Sequence, residues 1–84
     1  VKPAALSYEE EKRAKREERA RQRRLEQLEE EIARFEEQIA AAEKQLLDPA
    51  NFNDYIKLQQ LNESLEKDRQ RLEELVEEWG SLLE

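Results

Sequence analysis

Large apolar residues recur along the first half of the chain at Leu25, Leu28, Ile32, Phe35, Ile39, Ala42 and Leu46. The steps alternate between three and four, which lays the series along one stripe of an α-helix as a heptad seam. A second series runs Leu58, Leu61, Leu65, Asp68, Leu72, Leu75, Trp79 and Leu82, with the same alternation and one polar interruption. Between them stands Leu47-Asp48-Pro49-Ala50-Asn51-Phe52-Asn53. Pro49 disfavours helix in the residue before it, so helix one should stop near Leu47. Asp48 is a good N-cap with Pro at the first helical position, so a helical turn can restart at once. Asn51 or Asn53 is then expected to cap helix two. So short a connection makes the helices antiparallel neighbours. The predicted fold is all-α: two long helices in an intramolecular, monomeric coiled-coil hairpin over residues 25–84, turning near 47–53.

Pairing the seams symmetrically about the turn sets Ile39 against Leu61, Phe35 against Leu65, Leu28 against Leu72 and Leu25 against Leu75. Asp68 then faces Ile32, and Arg21 faces Trp79. A lone polar core residue such as Asp68 can fix register at a cost in stability. At the start, Ser7 with Glu10 reads as a capping box, which makes residues 1–7 a linker from an upstream parent. Helix two should reach back only to about Glu18, so the first turns of helix one overhang unless the chain bends and lets Leu6 and Tyr8 cover Trp79. Gly80 is expected to weaken helix two and end it near Trp79.

Composition agrees with long helices. Ala, Glu, Lys, Leu and Arg supply 55 of the 84 residues, above the roughly half typical of coiled coils. The chain has no Cys and no His, which removes disulfides, thiolate metal sites and the commonest general base. One Gly is too few for a glycine-rich phosphate loop. A two-helix rod also lacks the enclosed site that paired carboxylates need. No catalytic residue, metal ligand or cofactor is therefore assigned to this chain. The longest run of consecutive apolar residues, Ile39 to Ala42, is too short to span a membrane. Val1 in place of Met reads as the start of a piece of a longer protein.

Charge is unevenly placed. Residues 1–24 hold nine basic and five acidic groups, net +4; residues 25–84 hold six basic and 17 acidic groups, net −11. Within the basic helical arm, residues 8–24, Lys12, Lys15, Arg16, Arg19 and Arg23 fall within about 100° of one another at 100° per residue. This stripe lies opposite the seam. Arg13, Arg21 and Arg24 point elsewhere. An outward row of cations suits a phosphate backbone and gives salt-sensitive, sequence-tolerant affinity for RNA or DNA. The rival reading is a solvated face supported by the pairs Glu9–Arg13, Glu11–Lys15 and Glu17–Arg21. The arm is read as offering no aromatic to stack on an unpaired base, so base-specific reading of a single strand is not expected. A second candidate surface is the wide face containing Leu72, Val76, Trp79 and Leu83, which suits docking on the rest of a parent protein or on another protein. Leu47, Phe52, Tyr55 and Ile56 form an apolar group at the tip.

Three short motifs occur together: Leu6-Ser7-Tyr8 leading into a charged helix, Leu47-Asp48-Pro49 with Phe52 and Tyr55 at the turn, and Glu78-Trp79 near the end of helix two. Together they resemble the C-terminal coiled-coil domain of the ABC-F subfamily of bacterial ATP-binding cassette proteins. The basic arm here is longer than in shorter members, and Gly80 stands where those more often have a charged or helix-forming residue. The resemblance implies a soluble, cytoplasmic parent with two upstream ATP-binding domains, using ATP and Mg there, with no membrane span. It further implies engagement of the ribosome in translation, and a tail that binds DNA or ribosomal RNA. The alternative from a different class is an unrelated hairpin arm, such as the tRNA-contacting arm of a synthetase or a chaperone tentacle, which upstream Walker motifs would distinguish.

Overall fold

The computed structural model describes the backbone of residues 2–84 and the side chains of residues 7–84. Helix α1 runs Lys2–Leu46, a single 3-10 turn covers Pro49–Asn51, and helix α2 runs Tyr55–Leu83. Helix α2 packs along the C-terminal part of α1 as an antiparallel hairpin, in a rod measuring 78 × 17 × 14 Å. The first helix stops within one residue of the position set by Pro49. Asp48 caps the 3-10 turn as anticipated, its side chain accepting from the Ala50 N–H at 3.0 Å.

The cap of α2 differs from expectation. Asp54, not Asn51 or Asn53, accepts the Lys57 N–H at 3.1 Å. Asn51 is buried and committed elsewhere: its Nδ2 donates to the Gln45 carbonyl at 2.8 Å, and its Oδ1 accepts from Lys57 Nζ at 2.9 Å. One side chain thus ties the last turn of α1 to the first turn of α2, which leaves the capping task to Asp54. Two other boundaries also move. Because α1 begins at Lys2, Ser7 lies inside the helix rather than at its cap. Gly80 does not stop α2, which continues to Leu83.

The core is a narrow line. Leu25, Leu28, Ile39, Leu65 and Leu75 are buried, with Leu28 and Leu75 at 0 % exposure. Ile32, Phe35, Ala42, Leu46, Leu58, Leu61 and Leu72 flank them half-buried. The cross-helix contacts correct the symmetric facing. Under that facing Arg69 sits level with Glu31, twelve residues or about 18 Å of helix from Glu43. Yet Arg69 Nη2 reaches Glu43 Oε1 at 3.0 Å. Trp79 Nε1 donates to Glu29 Oε1 at 3.3 Å rather than meeting Arg21. A half-heptad slide accommodates both contacts, since side chains on antiparallel helices lean toward each other across the gap. It pairs Leu28 with Leu75 and Ile39 with Leu65, four of the five buried apolar residues. Asp68, half-buried, then comes level with Phe35 instead of Ile32.

Candidate nucleic-acid interface

The hairpin closes at Arg21. Its Nε and Nη2 grip both Glu18 carboxylate oxygens at 2.9 and 2.6 Å, and its Nη1 donates to the Leu82 carbonyl at 2.6 Å. That carbonyl belongs to the last turn of α2, whose partial negative charge favours a cation. One turn on, Arg24 makes a two-pronged pair with Glu78 at 2.6 and 2.8 Å. Planar guanidinium groups suit such forked contacts. Hydrogen bonds from Arg21 and Gln22 hold the Glu18 carboxyl down at about 2. The bond from Arg24 likewise lowers Glu78. The expected Glu17–Arg21 pair is replaced by Glu18–Arg21, at a spacing of three.

Beyond this collar α1 continues alone. Residues 2–20 extend roughly 28 Å past the contact with Leu82, and every side chain from Ser7 to Ala20 is exposed. The rod is long enough only if α1 stays extended, so the arm does not bend back. Tyr8 is 65 % exposed, and Trp79 is engaged with Glu29. Leu6, the other residue considered for covering Trp79, lies outside the described side chains.

Lys12, Lys15, Arg16, Arg19 and Arg23 are all exposed, and none of them takes part in an ion pair among the described residues. The anticipated Glu9–Arg13 and Glu11–Lys15 bridges are likewise not formed within 4.0 Å. The collar and the stripe therefore divide by job, with Arg13 exposed and belonging to neither. Arg21 and Arg24, on the seam side, are spent on closing the hairpin. The five on the opposite side face water.

The second candidate surface divides as well. Val76 and Trp79 line an open groove of about 350 Å³ with Ile32, Ala33, Glu29 and Glu36. Val76 is 44 % exposed within it, and Trp79 is half-buried. Leu72 is half-buried and Leu83 exposed, and neither lines the groove. At the tip Leu47, Phe52, Tyr55 and Ile56 remain exposed, so they do not close the hairpin end as a satellite core.

A family model described as ABC transporter C-terminal domain matches residues 15–84, from the middle of the arm to the end of the chain. The chain belongs to this family. The match takes in the whole paired hairpin and four of the five stripe cations, leaving Tyr8 and Lys12 upstream of it. Comparison with curated proteins gave no significant match, nor did comparison with solved structures. Among the described residues of this C-terminal domain, no helix is long and apolar enough to cross a membrane.

Proposed function

We propose that this C-terminal domain is the nucleic-acid-binding tail of a soluble, cytoplasmic ABC-F ATPase that acts in translation. It binds ribosomal RNA or DNA without sequence preference through Lys12, Lys15, Arg16, Arg19 and Arg23. The observation that supports this reading is the division of basic residues: Arg21 and Arg24, on the seam side, are consumed by carboxylates and a helix end, whereas Lys12, Lys15, Arg16 and Arg19 are exposed on a projecting helix and Arg23 is exposed just past the collar. ATP and Mg belong to the upstream ATP-binding domains of the parent. The tail has a single Gly and contributes no phosphate loop to them.

The test is a titration of the chain against structured ribosomal RNA and duplex DNA at several salt concentrations. Five cations each neutralising one phosphate give log K a slope against log salt of about −4.5 on duplex DNA. A variant with all five changed to Glu should lose binding. Equal binding by that variant would remove the stripe from the interface.

The groove at Val76 and Trp79 favours a second reading, in which the tail docks on the parent protein or on another protein without touching nucleic acid. Trp79→Ala would then damage function, and charge reversal of the stripe would not.

A further inference from the structure

Tyr8 changes the chemistry available to the stripe. It sits four residues before Lys12, which places it about 40° from Lys12 around the helix, within the arc the five cations occupy. Its ring is 65 % exposed on a helix with no facing partner. Two shallow hollows flank it. One is lined by Tyr8, Lys12 and Arg16 with Glu9 and Arg13; the other by Tyr8, Lys12 and Lys15 with Glu11. An exposed aromatic with cations on both flanks is the arrangement that binds single strands, the ring supplying a stacking platform and the cations tracking the backbone. One turn of helix separates Tyr8 from Lys12, about 6 Å. That is the scale on which a nucleotide separates its base from its phosphate.

We propose that the end of the arm is selective for unpaired nucleotides: Tyr8 stacks on a splayed base while Lys12, Lys15 and Arg16 hold the phosphates beside it. This rests on the stripe being a phosphate-binding surface and adds the class of strand it takes. In a duplex the base faces are stacked on one another, and Tyr8 can find no platform there. The selectivity therefore resides in Tyr8, and the shared affinity in the cations.

The experiment titrates the 84-residue chain against an unstructured 15-nucleotide single strand and a 15-base-pair duplex, each as RNA and as DNA. Wild type is compared with Tyr8→Ala, Tyr8→Phe and the five-Glu variant. Tyr8→Ala should weaken single-strand binding by roughly tenfold and leave duplex binding within about twofold. Tyr8→Phe, which keeps the ring, should bind as wild type does. The tighter of the RNA and DNA strands then identifies the source. Ala is a strong helix former, so loss of the arm helix is not at issue. If Tyr8→Ala binds single strands as tightly as wild type, or weakens duplex binding equally, the selectivity proposal is overturned. The stripe reading survives both results as long as the five-Glu variant loses binding. If wild type binds neither form at low salt, both readings fall together.

Discussion

The paired shaft and the projecting arm are one continuous helix, Lys2–Leu46, under two physical regimes. From Arg21 onward, α1 has a partner, and its stability comes from a line of buried side chains centred on Leu28 and Leu75. Before Arg21 it has none. The arm depends on helix propensity from its Ala, Glu, Lys and Arg residues and on being an extension of a helix already nucleated in the shaft. Burial constrains the shaft sequence at every third or fourth position, whereas the arm is free to devote its side chains to a partner. The same residue type thus does different work a few positions apart: Arg21 closes a hairpin, and Arg19 and Arg23 face water.

The sharpest way to break this comparison is to remove core from the shaft. Leu28→Ala or Leu75→Ala should cost about 2–5 kcal/mol, a large share of what so small a domain possesses. Thermal unfolding followed by circular dichroism should show a drop of about eight degrees or more, by the usual scaling of roughly 4–8 °C per kcal/mol. Deleting residues 1–17, which keeps Glu18, should leave the midpoint of the same transition nearly unchanged, because the side chains of residues 7–17 are exposed and none of them pairs with the shaft. A large loss on deletion would show that the arm has a stabilising partner.

Next in size is Asp68, a charged residue at a half-buried seam position. Asp68→Leu should raise the melting temperature, by an amount on the order of 1 kcal/mol. A fall would show that the carboxylate is needed where it stands. Gly80→Ala should also stabilise, by about 0.5–1 kcal/mol, through the restricted unfolded chain and better helix propensity. A methyl added at Gly80 meets nothing within 4 Å, so no clash opposes it.

The smallest effect is set by pH at the collar. Glu18 is held at about 2 and Glu78 is lowered, each by its Arg partner. A carboxylate whose folded value is depressed adds stability above its unfolded value of about 4.3, and that stability is lost as pH falls through the folded value. The difference in melting temperature between wild type and the Arg21→Ala, Arg24→Ala double variant should therefore shrink from about pH 5 down to about pH 2. Both pairs are exposed, which keeps the gap modest and makes it narrow further in salt.

Much of this architecture was legible from heptads and one proline. The seams, the turn at Asp48-Pro49, the antiparallel pairing and the overhang all follow from apolar spacing and backbone sterics. Facing was not legible, because a heptad seam looks the same after sliding by half a repeat. What chose between the alternatives were contacts between long polar side chains, Arg69 with Glu43 and Trp79 with Glu29, which periodicity does not register. The cap was misplaced because Asn51, suitable by type, is drawn into a bridge between the helices. Gly80 was over-read as a stop signal: Arg21 secures the Leu82 carbonyl beyond it. In the candidate site, angular sorting groups the five cations on one face, and the structure leaves all five exposed. Tyr8 precedes the first of them by a full turn, so a stripe counted from Lys12 omits it, although the same 100° rule places it in their midst.

The collar at Arg21 is also a step in mechanical stiffness. A two-stranded rod resists bending far more than a lone helix of the same pitch, so thermal bending concentrates just N-terminal to the point where α2 ends. The arm then behaves as a short whip on a rigid handle. Anything that grips its far end pulls directly on the contact between Arg21 and the last turn of α2, which makes that turn the first part of the shaft to feel a load.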